Sequence, residues 1–86
     1  MHLILYSKPG CHLCEGLQEK LEQIQTPAIE LEVRDITTRE DWFQAYQYEI
    51  PVLLMVNDQE VLLPRPSPRA SVQQLAQLLQ KYETSA

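Results

Sequence analysis

The stretch Ser7-Lys8-Pro9-Gly10-Cys11-His12-Leu13-Cys14-Glu15-Gly16-Leu17 contains the only two cysteines of the chain, spaced as C-x-x-C. The apolar run Leu3-Ile4-Leu5-Tyr6 lies just before it and predicts a buried strand. Apolar side chains then recur at helical spacing, which predicts an amphipathic helix beginning at or just before Cys11. Lys8-Pro9-Gly10 is typical of a turn. The two cysteines are therefore expected where a strand ends and a helix begins.

This position has a chemical consequence for the cysteines. The unpaired N–H groups and the dipole of a helix start favour a thiolate over a thiol. Cys11, at the helix start and the more exposed of the two, is the candidate nucleophile for thiol–disulfide exchange. Cys14 lies one turn further, on the face that also carries Leu17 and Leu21, and is the candidate resolving thiol. Two buried structural cysteines are the alternative interpretation.

Composition limits the classes of function. The chain has 86 residues, 44% of them apolar and 22% charged, which predicts a single globular domain over residues 1–86. A formal net charge of -5 with scattered basic residues argues against a nucleic-acid partner. No apolar segment approaches the roughly 20 residues that span a membrane, and the N-terminus has no basic leader. We therefore expect a cytoplasmic protein with no membrane partner, a compartment where a C-x-x-C pair is more often catalytic or metal-binding than structural.

The rest of the chain predicts an α/β domain with the element order β-α-β-α-β-β-α. The predicted strands cover roughly residues 2–7, 28–36, 52–56 and 60–63. The predicted helices cover roughly residues 11–25, the segment after Asp41, and 72–82, with residues 83–86 frayed. Helix-start signals pair Thr37 with Glu40, Thr38 with Asp41, and Ser71 with Gln74. A strand, a crossover helix and a second strand favour a right-handed βαβ unit in a mixed sheet, with helices on both faces.

This combination resembles the thioredoxin fold. The lysine three residues before the first cysteine, in Tyr6-Ser7-Lys8-Pro9-Gly10-Cys11, is similar to the glutaredoxin branch of that superfamily. Glu49-Ile50-Pro51-Val52-Leu53 resembles the segment in which the family places a proline before its third strand. The short glutaredoxin-like proteins with a C-x-L-C motif are the most similar group, and the resemblance extends from His2 to about Tyr82.

The resemblance implies a thiol–disulfide oxidoreductase that contributes to cell redox homeostasis. Its substrate would be a disulfide-bearing protein or a small thiol, and Cys11 and Cys14 would form its redox-active disulfide. The family also implies that Pro51 is cis and faces Cys11, so that Ile50 offers its backbone to an incoming chain. From the sequence alone, a proline at a strand edge is the alternative.

Lys8 and His12 are the other candidate substrate-binding residues. Lys8 can favour the thiolate of Cys11 electrostatically or contact a carboxylate of a peptide-like substrate, and His12 can modulate the thiol. A solvated turn lysine and a surface histidine are the alternatives. In the same way, Arg65 and Arg69 are either anion contacts near the site or solvated loop charges.

Two departures from the glutaredoxin pattern concern glutathione. The pair between the cysteines is His12-Leu13 where glutaredoxins usually have a Pro-Tyr type pair. Pro64-Arg65-Pro66-Ser67-Pro68-Arg69 stands where they carry a Gly-Gly turn with an acidic residue soon after, and those residues together hold glutathione. Glutathione is therefore a possible reductant that lacks its usual binding residues here, and we expect no bound cofactor.

Three other classes of function remain open at this point. A zinc site needs four ligands that converge, and Cys11, His12, Cys14 and His2 are not expected to meet because His2 starts the first strand, so no metal site is predicted. Some glutaredoxins hold an iron–sulfur cluster between two subunits with glutathione, but the missing glycine pair argues against that cluster. An interaction module that keeps the fold without turnover is the third class. We expect a monomer.

Overall fold

The computed structural model describes residues 1–85 of the chain, and their side chains through residue 83. Its strands and helices follow the predicted order. The strands are β1 His2–Ser7, β2 Glu30–Asp35, β3 Val52–Val56 and β4 Glu60–Leu62. The helices are α1 His12–Gln23, α2 Glu40–Tyr46 and α3 Val72–Ser85, and a 3-10 turn covers Ile36–Thr38.

The four strands form one mixed sheet in the order β2-β1-β3-β4. β1 pairs in parallel with β2 and antiparallel with β3, which in turn pairs antiparallel with β4. The parallel β1–β2 pair is connected through α1, which confirms the predicted βαβ unit. Since β1 lies between two neighbours, its residues from Leu3 to Tyr6 are all buried.

Alternating side chains of the sheet build two cores, one on each face. Leu3 and Leu5 point into the larger core, which the helices α1 and α3 cover, and Ile4 and Tyr6 point into the smaller core, which α2 covers. The larger core contains Leu3, Leu5, Leu17, Leu21, Ile24, Leu53, Met55, Leu63, Leu75 and Leu79. The smaller core contains Ile4, Tyr6, Ile36, Val52 and Leu54, with Trp42, Phe43 and Tyr46 packed against it. Helices therefore cover both faces, as predicted.

The start of α2 differs from the prediction. The Asp35 carboxylate accepts hydrogen bonds from the backbone N–H and the hydroxyl of Thr37, at 2.9 and 2.6 Å, and its backbone carbonyl accepts one from the Thr38 hydroxyl. These contacts cap the 3-10 turn, so neither threonine is free to cap α2. Arg39 occupies the N-cap position without a side-chain cap bond, and both predicted capping boxes are wrong.

For the other two helices, the predicted capping box of α3 is confirmed, and the C-terminal ends of α3 and α1 differ from the prediction. Ser71 and Gln74 form the predicted reciprocal capping box of α3, with hydrogen bonds of 2.9 and 3.0 Å. This helix continues through Ser85 rather than fraying from residue 83, and Ala86 lies outside the described residues. Helix α1 ends at Gln23, two residues early, because Ile24 takes an extended conformation and is buried in the larger core.

The edge strand β2 carries its charges on the face of the smaller core. Arg34 lies opposite Tyr6 in the register and donates a hydrogen bond to its hydroxyl at 2.9 Å. The guanidinium also lies 5.2 Å from the ring centroid of Trp42 and forms an ion pair with Glu32. The hydrogen bond from Arg34 lowers the pKa of Glu32 below its usual value. On the opposite face Val33 stays 41% exposed, because an edge strand has a neighbour on one side only.

Candidate active site

The cysteine pair lies at the junction between β1 and α1, as the sequence predicts. A turn closes there through a hydrogen bond of 3.3 Å from the backbone N–H of Cys11 to the carbonyl of Lys8. Gly10 has a φ of 81°, a conformation that side-chain-bearing residues rarely adopt, which explains a glycine before the first cysteine. Cys11 is the N-cap residue of α1 in an extended conformation, and α1 begins at His12.

The two cysteines form a disulfide whose sulfur atoms differ in access. Their Cα atoms are 5.3 Å apart, within the range for disulfides. Cys14 is 2% exposed within α1, whereas Cys11 is partly exposed. The backbone N–H of Cys14 donates a hydrogen bond of 3.3 Å to the Sγ of Cys11. The sulfur of Cys11 is thus the accessible one, and it receives a donor from the first helical turn.

Pro51 opens β3, and its peptide bond with Ile50 is cis, as the resemblance implied. The backbone of Ile50 is less available than expected. Its N–H donates to the carbonyl of Tyr46 at 3.1 Å, and its carbonyl accepts from Nη2 of Arg65 at 3.1 Å. Strand-like pairing of a substrate with Ile50 therefore requires the second lone pair of that carbonyl or displacement of Arg65.

A cleft with a volume of about 200 Å³ opens beside the cysteine pair, and we call it the α1 cleft. Its apolar wall includes Leu13, Leu17, Pro51, Pro66 and Leu75. Its basic side chains are His12, Lys20 and Arg65. The two residues between the cysteines, His12 and Leu13, line this cleft, whereas the cysteines themselves do not.

The segment of residues 64–70, which we call the 64–70 loop, forms the outer wall of this cleft. It has no regular secondary structure, as predicted from its three prolines. Lys20 of α1 holds it through a hydrogen bond of 2.8 Å from Nζ to the carbonyl of Pro68. Arg65 holds its other end on Ile50. Within the loop, Ser67 accepts hydrogen bonds from the backbone N–H groups of Ala70 and Arg69.

The remaining predicted site residues lie on different sides of the cysteine pair. The side chain of His12 is 94% exposed, with Nδ1 3.7 Å from a carboxylate oxygen of Glu15, and it lines the α1 cleft with Pro51. Lys8 is exposed and lines a separate shallow cleft together with Cys14 and Asp35. The structure thus brings His12 and Pro51 together in one cleft and places Lys8 outside it.

Lys20 is a charged residue of the cleft that was not predicted from the sequence. A signal was available, because Leu13, Gly16, Leu17 and Lys20 are spaced three and four residues apart and so share one face of α1. Of the two loop arginines, Arg65 lines the cleft and Arg69 does not.

The described part of the chain contains neither a candidate metal site nor a membrane-spanning helix. Within it, no three His, Cys, Asp or Glu side chains meet in a group that could hold a metal ion. His2 lies at the opposite end of β1 from the cysteines, 3.7 Å from Glu32. Among the described helices, none combines the length and the apolar character needed to cross a membrane.

A four-stranded mixed sheet with a C-x-x-C pair at the start of its first helix is the arrangement of the thioredoxin fold. Comparison with known families agrees: residues 2–80 match the glutaredoxin-like domain family (DUF836), and the chain belongs to this family. No curated protein matches the chain.

Solved structures of other proteins share this fold. A structural-genomics target protein from X. campestris is 25% identical, with a TM-score of 0.66, over 92% of this chain and 96% of that one. Thioredoxin 1 from Thermosipho africanus is 17% identical, with a TM-score of 0.67, over 99% of this chain and 97% of that one. A malarial protein is 17% identical, with a TM-score of 0.65, over 93% of each chain.

Proposed function

We propose that this protein is a dithiol oxidoreductase in which Cys11 attacks a substrate disulfide and Cys14 resolves the product. The observation that carries the proposal is the unequal access of the two sulfurs. Cys11 is partly exposed at the N-cap and accepts a hydrogen bond from the first turn of α1, whereas Cys14 is 2% exposed behind it. A nucleophile must reach its substrate, and a resolving thiol must reach only the nucleophile.

The proposed reaction starts from the reduced dithiol. The Cys11 thiolate attacks one sulfur of the substrate disulfide, so that a mixed disulfide forms and the other substrate sulfur leaves as a thiolate. Cys14 then attacks the Sγ of Cys11, which forms the Cys11–Cys14 disulfide and releases the second substrate thiolate. Two electrons pass from the cysteine pair to the substrate, and the two protons of the cysteine thiols end on the two product thiols.

We propose that a dithiol, carried by a small molecule or another protein, returns the oxidised pair to its reduced form. Glutathione is the weaker candidate because its usual glycine turn offers free backbone N–H groups. In the 64–70 loop three residues are prolines without an N–H, and the N–H groups of Arg69 and Ala70 already bond to Ser67. A dithiol reductant carries both thiols that are needed to reduce the Cys11–Cys14 disulfide, so both exchange steps take place with one molecule. Such a reductant does not need the glycine turn that holds glutathione.

The test is reduction of a peptide disulfide by the pre-reduced protein and by two single-cysteine variants. Wild type is expected to reduce the peptide to two free thiols, and Cys14→Ser is expected to stop at a mixed disulfide visible by mass spectrometry. Cys11→Ser is expected to react at least 100-fold more slowly, because its remaining thiol is buried. Reduction by Cys11→Ser at the wild-type rate would contradict the assignment of roles. Partner binding that survives in Cys11→Ser, with no reduction by wild type, would instead indicate an interaction module.

A further inference from the structure

The α1 cleft combines positive charge with apolar surface. His12, Lys20 and Arg65 line it, and no Asp or Glu is among its lining residues. This is unusual in a chain whose formal net charge is -5, since acidic side chains outnumber basic ones by 12 to 7. The cleft is therefore a basic site on an acidic protein, and the two residues between the cysteines, His12 and Leu13, form part of its lining.

The charges of Lys20 and Arg65 are fixed in place but not neutralised. Each side chain donates its hydrogen bond to a backbone carbonyl, that of Pro68 for Lys20 and that of Ile50 for Arg65. Neither of these two forms an ion pair with a carboxylate of the described residues. A lysine ammonium has three donors and an arginine guanidinium has five, so both retain donors for an incoming anion. A carboxylate bound there would gain charge-assisted hydrogen bonds from side chains that are already positioned.

Apolar surface lies next to these charges. Leu13 is 51% exposed although it is a large aliphatic side chain between the two cysteines. It lines the cleft together with Leu17, Pro51 and Pro66. A purely ionic ligand would leave this surface exposed to water, whereas a peptide segment with an apolar side chain beside a carboxylate would cover both parts.

We infer that the α1 cleft selects the disulfide substrate: it takes an acidic protein segment with an apolar side chain near the cystine that Cys11 attacks. This inference rests on the proposed function and names its substrate class. Lys20 and Arg65 are the specificity-determining residues, and Leu13 with Pro51 supplies the apolar contact. Charge complementarity favours this occupant, since a basic segment would meet the cations of Lys20 and Arg65 and no carboxylate among the lining residues of the cleft.

Three disulfide peptides test the inference with the pre-reduced wild-type protein. They share one sequence with a leucine beside the cystine and differ only in the two flanking positions, which are Glu, Gln or Lys. The second-order rate constant of reduction is expected to be about three- to tenfold higher for the Glu peptide than for the Gln peptide. The Lys peptide is expected to be the slowest, and 0.5 M NaCl is expected to bring the three rates together.

Two variants that each remove one positive charge show whether the preference for the Glu peptide arises in the α1 cleft. Arg65→Gln is expected to lower the ratio of the Glu to the Gln rate constant to about one. Arg69→Gln removes the same charge from the same loop, but outside the cleft, and is expected to leave the ratio unchanged. Arg65→Lys keeps the positive charge but changes the side chain that donates to the carbonyl of Ile50. This variant is expected to retain part of the preference for the Glu peptide.

The outcomes distinguish the inference from the proposed function. Equal reduction of the three peptides, or an equal loss of preference in the Arg65→Gln and Arg69→Gln variants, would overturn the inference and leave the oxidoreductase intact. Failure of wild type to reduce any of the peptides would overturn both. A preference for Glu that high salt removes and Arg65→Gln abolishes would support the α1 cleft as the site of selection.

Discussion

The guanidinium of Arg65 donates a hydrogen bond of 3.1 Å to the backbone carbonyl of Ile50, 15 residues earlier in the chain. Ile50 precedes the proline that opens β3, so this contact joins the 64–70 loop to the edge of the candidate active site. Lys20 makes the second connection, from α1 to the carbonyl of Pro68. These two side-chain hydrogen bonds therefore connect a loop without regular secondary structure to both α1 and the segment before β3.

Removing the contact between Arg65 and Ile50 is expected to loosen the 64–70 loop without unfolding the domain. In Arg65→Ala, hydrogen–deuterium exchange is expected to accelerate in peptides that cover residues 64–70 and to stay unchanged in β1, because the loop lies outside both cores. Arg69→Ala is the matched control, since its side chain does not line the cleft. Faster exchange of β1 as well would show that Arg65 stabilises the whole fold instead.

Truncation of Leu79 is expected to destabilise the domain strongly. Leu79 is 0% exposed in the larger core, and removing a buried leucine side chain costs about 2–5 kcal/mol in the free energy of unfolding. Leu62 is 67% exposed on the edge strand, so Leu62→Ala is expected to change that free energy by less than about 0.5 kcal/mol. Urea denaturation followed by circular dichroism measures both, and equal losses would contradict the described core.

The capping box of α3 is expected to contribute measurably to stability. Ser71→Ala removes the hydroxyl that accepts from the backbone N–H of Gln74 and is expected to cost about 1 kcal/mol. Gln73→Ala changes an exposed residue in the same first turn and is expected to have a smaller effect. The same urea titration makes the comparison, and a Ser71→Ala protein as stable as wild type would show that the cap is not formed in solution.

The ion pair between Glu32 and Arg34 is expected to make stability depend on acidity. The hydrogen bond from Arg34 lowers the pKa of Glu32 in the folded protein below its usual value of 4.5. A lowered folded pKa contributes stability that is present above pH 4.5 and is lost as the pH falls through the folded pKa. The Glu32→Gln variant is therefore expected to lose less stability than wild type when the pH falls from about 5 to about 3. This range brackets the ordinary carboxyl pKa of about 4.

Glu22→Gln is the control for this pH dependence, because it removes a carboxylate from the exposed surface of α1. Thermal unfolding at a series of pH values gives the three curves. If Glu22→Gln reduces the loss of stability at acidic pH as much as Glu32→Gln does, the effect comes from net charge and the ion pair contributes nothing specific.

Most of the fold could be predicted from the sequence because its signals are local. The apolar runs of β1 and β3 and the C-x-x-C at a helix start predict their elements directly. The start of α2 could not be predicted in this way. Thr37 and Thr38 were predicted to cap α2, but both form hydrogen bonds with Asp35 instead. These bonds depend on where the end of β2 places Asp35.

The sequence predicted the cysteines, Pro51 and His12 as site residues and offered Arg65 as a possible anion contact, but it did not predict the contacts that form the α1 cleft. The contact of Lys20 with Pro68 joins residues 48 positions apart, and that of Arg65 with Ile50 joins two loops. No periodicity records such contacts, because they depend on how α1 and β4 are placed against each other in three dimensions. Only the structure therefore showed that His12, Lys20 and Arg65 share one cleft.

Competitive alkylation of the fully reduced protein shows whether the fold makes Cys11 the reactive cysteine. Limiting iodoacetamide at pH 7 is followed by mass spectrometry of the two cysteines, with an unstructured peptide of residues 7–17 as the reference. Cys11 is expected to be alkylated well before Cys14 and at least tenfold faster than the cysteines of the peptide, because the helix start stabilises its thiolate. Alkylation of Cys11 no faster than in the peptide, or of Cys14 first, would contradict this expectation.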